Sequence, residues 1–290
     1  MSDAKKSARL SADLSLLVVT AIWGATFVMV KGAVAQAGPL TFVGVRFVLA
    51  ALGLAPLLFA RRGQLSPGAL ASGASIGLLL FAGYAFQTAG LQFTSASKAG
   101  FITGLSVVLV PLLSALVLRQ PPSWPSVAGV GLATSGLALL SLQDDVSLQT
   151  GDLLVLGCAL SFALHILLVG RAAPRFDVLS LTGVQVLVAA LLSGAGALAF
   201  EAPTVGQVEA ILPAALFTGL FATVLAFYVQ THAQRFTSAT HTALIFTMEP
   251  VFAGLFGYLL AGERLGLRGI VGCGLILAGM VVAQVMGREA

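Results

Sequence analysis

Ten apolar runs, each about 20 residues long, constrain this chain more than any other feature. Charges, prolines and polar clusters cut the sequence at 13–36, 39–60, 67–90, 96–118, 124–142, 151–172, 178–199, 208–233, 238–261 and 266–287. A helix rises about 1.5 Å per residue, so each run can cross the roughly 30 Å apolar core of a bilayer. The connections left over are short and leave no room for a soluble domain. Transmembrane barrel strands would appear as short alternating segments, and none are present. Composition agrees: 58% of the residues are apolar and only 9% charged, against about 25% charged in soluble domains. So few charges cannot clothe a water-soluble globule. The expected fold is an all-α polytopic membrane protein with ten transmembrane helices.

The ends and the rarer residues fit this class. Lys5, Lys6 and Arg9 precede the first apolar run, and Ala35-Gln36-Ala37 could mimic a cleavage site. The run from Leu14 to Val30 exceeds a typical signal-peptide core, so it reads as a retained first helix. Cys158 and Cys273 lie in separate apolar runs and read as small hydrophobes, with no disulfide framework. The three histidines have no metal-ligand spacing, so no metal is expected. The net charge of +4 reflects basic loops, and no nucleic-acid partner is expected.

The chain repeats itself. A shift of 143 lays Gln87-Thr88 on Gln230-Thr231, and Phe93-Thr94-Ser95-Ala96 on Phe236-Thr237-Ser238-Ala239. The same shift lays Gly129, Gly131 and Gly136 on Gly272, Gly274 and Gly279. Earlier in the chain a shift of 139 lays Gly44-Val45 on Gly183-Val184, and Trp23-Gly24 faces Phe162-Ala163. The reading is two five-helix halves, 1–142 with a short N-terminal tail and 143–290. Because five is odd, the second half must enter the membrane from the opposite side. Loop charges agree. With the N-terminus in the cytoplasm, Lys5, Lys6, Arg9, Arg61, Arg62, Arg119, Arg171, Arg175, Arg235 and Arg288 fall inside. Lys31, Lys98, Arg264 and Arg268 fall outside, as do Asp144, Asp145, Asp152, Glu201, Glu209 and Glu263. This positive-inside bias places both termini in the cytoplasm. Inverted repeats mark secondary transporters, whose site lies near the midplane where the halves meet.

Glu249-Pro250-Val251-Phe252-Ala253-Gly254, then Gly262-Glu263-Arg264-Leu265 and a glycine-rich last helix, resemble the second-half signature of the drug/metabolite transporter superfamily, EamA type. Trp23-Gly24 followed by Lys31, and Arg46 in the second helix, resemble its first-half signature. The resemblance covers nearly the whole chain. It implies a central cavity lined by helices 1, 3, 4, 6, 8 and 9, in a multi-pass protein of the bacterial inner membrane. The nearest look is to bacterial aromatic amino-acid exporters. The first half departs from the pattern, with Gln120-Pro121 where the second has Glu263-Arg264, and with Pro111 one turn later than the register of Pro250.

A charge at mid-bilayer is costly, so each one needs a reason. Glu249 lies about 16 Å along helix 9 by the helical rise. It reads as a proton- or cation-responsive group, as an acceptor of a substrate amine, or as a structural carboxylate at the kink before Pro250. Arg46 reads as a carboxylate anchor, as a partner of Glu249, or as a residue that bonds backbone carbonyls between helices. His165 serves proton transfer, contacts substrate, or bonds across helices. Lys31 and Lys98 read as snorkelling residues, and His232 and His241 as interfacial ones. Trp23, Phe162, Tyr84, Phe227 and Phe101 would form apolar walls, with Thr26, Gln87, His165 and Gln230 as polar contacts to substrate. Ordinary helix packing is the rival account of these rings. Pro111 and Pro250 would interrupt helices 4 and 9 and act in gating, with Glu249 in gating or coupling.

Gly73-Ala74-Ser75-Ile76-Gly77 fits a hydrolase nucleophile pattern but lies within an apolar helix, where spaced glycines favour close packing. No P-loop or zinc-protease motif occurs, and no cofactor is expected. The expected function is alternating-access export of small metabolites, aromatic or large apolar amino acids above all. A multidrug or nucleoside exporter of the same fold is the alternative, and a membrane-embedded enzyme the remote one. The partners are a small-molecule substrate and the lipid bilayer; a monomer suffices, and nothing in the sequence sets the oligomeric state.

Overall fold

The computed structural model describes residues 3–94, 96–119, 121–141, 149–261 and 266–286. Ser95, Gln120, Asp144, Asp145, Gly262, Glu263, Arg264, Leu265 and Arg288 lie outside them, as do the side chains of Lys5, Lys6, Lys31, Ala96 and Lys98. The described residues are helical, without a strand. The first half comprises α1 (Asp3–Val34), α2 (Pro39–Ala60), α3 (Pro67–Gly90), α4 (Ala96–Gly104), α5 (Ser106–Leu118) and α6 (Trp124–Ser141). The second comprises α7 (Thr150–Ala172), α8 (Val178–Phe200), α9 (Val205–Gly219), α10 (Ala226–Ala233), α11 (Ala239–Phe246), α12 (Glu249–Ala261) and α13 (Leu267–Met286). Pairing α4 with α5, α9 with α10, and α11 with α12 gives ten spans. Seven are long and apolar enough to cross a bilayer, while α6 and α13 are shorter apolar helices.

Local chemistry starts these helices where the sequence breaks its apolar runs. Pro39 and Pro67 occupy first-turn positions of α2 and α3, where a missing N–H costs nothing. The side chains of Ser66, Asp177, Thr204 and Ser238 accept bonds from backbone N–H groups in the first turns of α3, α8, α9 and α11. Gln149 and Asp152 form a capping box at the start of α7.

The inverted relation of the halves is visible where α6 meets α13. A Cβ on Gly129 would lie 2.6 Å from the Gly279 carbonyl oxygen, and one on Gly136 would lie 2.5 Å from that of Gly272. As numbers rise along α6 they fall along α13, so the helices run antiparallel. The shift of 143 turns the Gly129–Gly279 contact into the Gly272–Gly136 contact, as an in-plane two-fold requires. The α2/α8 pair is tied at both ends in the same sense. Glu201, after α8, accepts from the Leu40 and Thr41 amides at 2.9 and 2.8 Å. Its charge thus meets the positive end of the α2 dipole. At the other end Arg61 reaches Asp177, the N-cap of α8, at 3.8 Å.

The glycines of the nucleophile-like motif serve packing. A Cβ on Gly73 would lie 2.8 Å from the Val184 side chain, and one on Gly77 would lie 2.7 Å from the Gln185 carbonyl oxygen. They let α3 seat directly on α8.

Three spans are interrupted, and sequence patterning found only part of this. The break between α11 and α12 falls at Thr247–Met248, just before Pro250, whose missing N–H cannot continue the ladder. The matching break in the first half falls at Leu105, not at Pro111. Pro111 sits inside the continuous helix α5. The two breaks are in repeat register, so the fold places them and the first-half proline does not. The third interruption was unforeseen: a π-helical turn, Leu220–Leu225, joins α9 to α10.

Candidate functional site

At the centre the two halves enclose a cavity of about 320 Å³. Four helices each offer it a ring and a polar group one turn apart, because residues i and i+3 share a helix face. These pairs are Trp23 with Thr26 on α1, Tyr84 with Gln87 on α3, Phe162 with His165 on α7, and Phe227 with Gln230 on α10. The first and third are repeat partners, and so are the second and fourth. Glu249 and Pro250 of α12 complete this wall. Gly24 admits them, since a Cβ there would lie 2.7 Å from that of Phe252 and 2.9 Å from the Glu249 carbonyl oxygen.

The rings form two connected groups. Trp23 meets Phe246 at 5.0 Å between centroids and Phe227 at 5.8 Å, and Phe227 meets His165 at 5.7 Å. Tyr84 meets Phe162 at 5.5 Å and Phe47 at 5.3 Å. Most cross edge to face, the favoured arrangement of ring quadrupoles.

Two expected residues lie elsewhere. Phe101 packs with Leu137, Met248 and Ile276, and Pro111 is buried within α5. Phe101 projects from another face of α4 than the one that meets the cavity. That face carries Ala99, Gly100, Thr103 and Gly104. Helix 2 was not among the expected lining helices, yet Phe42, Val43 and Arg46 of α2 contribute.

Arg46 is 3% exposed, and its bonds explain how a guanidinium persists at this depth. Nε donates to Thr223 Oγ1 at 2.7 Å, and Nη2 donates to the Ala222 carbonyl at 2.9 Å and to the Tyr84 hydroxyl at 3.1 Å. The guanidinium carbon stands 4.8 Å from the Tyr84 ring centroid, a cation–π approach. Trp23 Nε1 donates to the same Ala222 carbonyl at 2.9 Å. Both side chains therefore clasp the π-helical turn, where the ordinary ladder is displaced and a carbonyl can accept from outside. Of the sequence readings for Arg46, the structure shows the bond to a backbone carbonyl between helices. No salt bridge to Glu249 occurs.

His165 is bound through Nε2 to Gln185 Oε1 at 2.9 Å while its ring still lines the cavity. Gln185, the repeat partner of Arg46, in turn donates to Thr231 Oγ1 at 3.4 Å. His241 corrects the interfacial reading. It is 5% exposed, with Nε2 3.3 Å from Asp13 Oδ2 on α1. A serine N-cap and a cluster of Ala12, Leu16, Ala233 and Ile245 draw α11 onto α1 there. His232 is exposed on the last turn of α10. Cys158 is buried and Cys273 half-buried, both as free thiols, and no cluster of potential metal ligands occurs among the described residues.

The cavity is symmetric in its middle and one-sided at its ends. Val30, Phe42, Leu91 and Ala99 line it towards the side where α1 ends. Their repeat partners are Val169, Leu181, Gln234 and Thr242. All four are buried and do not line it. Gln234 Nε2 instead donates to the Ile166 carbonyl at 2.9 Å, sealing α10 against α7 on the side where α1 begins. Such a chamber, aromatic, open one way and holding few charged groups, suits a small solute with an apolar body.

Comparison with known proteins agrees with this architecture. A crystal structure superposes with a TM-score of 0.81 at 20% identity, over 96% of this chain and 98% of the other, which shows the fold. An uncharacterized transporter of Archaeoglobus fulgidus is 34% identical over 95% of this chain and 86% of its own. The uncharacterized transporter YoaV of Bacillus subtilis is 27% identical over 92% and 94%. An S-adenosylmethionine/S-adenosylhomocysteine transporter of Chlamydia trachomatis is 27% identical over 83% and 79%. The profile of the EamA-like transporter family matches twice, over residues 10–142 and 149–284, and the chain belongs to that family.

Proposed function

We propose that this membrane transporter exports small metabolites, aromatic or large apolar amino acids above all, by alternating access between two halves, 1–142 and 143–290. The observation that carries the reading is the central cavity, in which Trp23, Tyr84, Phe162 and Phe227 surround one space with Thr26, Gln87, His165 and Gln230 beside them. Rings supply area for an apolar body, and the few polar groups orient it. The one-sided ends support alternation. In an inverted repeat, exchanging the roles of the halves closes one mouth and opens the other. On this reading the basic loops lie inside, α1 begins in the cytoplasm of a bacterial inner membrane, and the cavity faces outward.

Glu249 and Pro250 belong to the coupling or gating apparatus, since the carboxylate lines the cavity at the break of its helix. Pro111, inside α5 and away from the cavity, is left out of it. Phe101, on α4 and not lining the cavity, is left out of the substrate site.

A second reading has its own support. The S-adenosylmethionine/S-adenosylhomocysteine transporter among the relatives acts on solutes that also join an aromatic ring to an amino-acid end. Counterflow in proteoliposomes tests both readings, with a panel of amino acids and with S-adenosylmethionine. Exchange of aromatic amino acids supports the first reading. Exchange of S-adenosylmethionine alone replaces it with the second.

A further inference from the structure

One charged group of the cavity has no partner, and that bears on the solute it holds. Start with the donors. Arg46 has given Nε and Nη2 to Thr223, Ala222 and Tyr84. That is one of the two edges a carboxylate can grip with two parallel bonds, and only Nη1 keeps its N–H groups. Trp23 Nε1 is committed to the Ala222 carbonyl, and Thr26 Oγ1 to the Trp23 carbonyl at 3.0 Å. The amide of Gln230 donates to Gln234 Oε1 at 3.2 Å.

Glu249 is in the opposite condition. It lines the cavity half-buried, and its carboxylate makes no hydrogen bond or salt bridge among the described residues. An unpaired carboxylate at this depth is expensive. A carboxylate left open on the wall of an aromatic cavity describes a site shaped for a solute that brings a cationic donor.

We infer that the cavity recognises aromatic solutes through a cationic amine, held by Glu249, and that a substrate carboxylate is dispensable. The ammonium brings N–H donors and a positive charge to Glu249, and the ring packs among the aromatic side chains. Its orientation is set by the asymmetry of the repeat, because the position related to Glu249 is Ser106, which also lines the cavity and is uncharged. One half of the wall attracts a cation and the other does not.

This inference rests on the reading of the cavity as a site for aromatic solutes, and one experiment separates the two. The purified protein in lipid nanodiscs is titrated calorimetrically with 2-phenylethylamine, L-phenylalanine methyl ester, L-phenylalanine and 3-phenylpropionate. The amine and the ester are expected to bind at least as tightly as the amino acid. The acid, which lacks the amine, is expected to bind about tenfold or more weakly, the scale of losing a charge-assisted bond. Glu249→Gln is expected to weaken the amine by a similar factor while its melting temperature stays near that of the parent. Should Glu249→Gln unfold, Ser106→Asp in the parent gives an independent reading and is expected to tighten the amine. Binding of phenylalanine and phenylpropionate without the amine or ester overturns the inference alone. So does a Glu249→Gln variant that binds the amine as the parent does. Binding of none of the four compounds by folded protein overturns the aromatic reading of the cavity as well.

Discussion

Gln234 and Leu91 occupy the same position in the two halves, and they do opposite things. Leu91 lines the cavity, whereas Gln234 is 2% exposed and donates to the Ile166 carbonyl at 2.9 Å. Replacing Gln234 with Leu makes the halves alike at this point and removes two buried bonds, to the Ile166 carbonyl and from the Gln230 amide, at a combined cost of about 1–3 kcal/mol. The state closed on this side loses that much, so its rival should gain roughly 5- to 150-fold in population. A cysteine at Thr242, buried on the closed side, should then react faster with a maleimide in a background lacking Cys158 and Cys273. An unchanged rate would show that Gln234 does not hold this side shut.

The α6–α13 seam makes a prediction with an internal control. Gly129→Ala places a methyl 2.6 Å from the Gly279 carbonyl oxygen, and crowding of this kind costs about 1–3 kcal/mol. Gly131→Ala places one in open space and should be neutral or stabilising by up to about 1 kcal/mol, the helix-propensity gain. Thermal melts of the two variants in detergent should therefore move apart, with Gly129→Ala lower. Equal melts would mean that the seam relaxes freely.

Trp23 has two jobs, which separate by substitution. Trp23→Phe keeps a ring beside Phe227 and Phe246 but loses the bond to Ala222, worth about 1 kcal/mol in stability. Trp23→Ala also removes the ring, as Phe162→Ala does. Each alanine variant should raise the apparent KM for an aromatic solute roughly two- to tenfold, the scale of one aromatic contact. Melts that fall while KM stays constant would make these rings packing residues.

The loop charges predict sidedness. Single cysteines at Gly63, beside Arg61 and Arg62, and at Gln149, at the start of α7, should label from opposite faces of the membrane with an impermeant reagent. Both positions are exposed. Labelling from one face would contradict the inverted insertion of the halves.

Much of this protein is written locally. The ten spans follow from apolar runs, because a bilayer accepts little else over that length. The inverted halves follow from a repeat of odd helix number, and the ring-and-polar pairs such as Trp23 with Thr26 follow from helical periodicity. These features need only neighbours in sequence. The rest depends on how each helix is rotated and what stands opposite, which no local pattern encodes. Phe101 packs against Leu137, Met248 and Ile276 instead of lining the cavity, and Pro111 is accommodated within α5. The buried approach of His241 to Asp13 joins residues more than 200 positions apart in the chain. The π-helical turn clasped by Arg46 and Trp23 is likewise a tertiary product, since its freed carbonyl has value only where donors from α1 and α2 can reach it. Which mouth of the cavity stands open is the last such feature. Equivalent positions of the two halves pack differently there, Leu91 on the cavity wall and Gln234 against the Ile166 carbonyl, and only the neighbours each meets in the fold decide which.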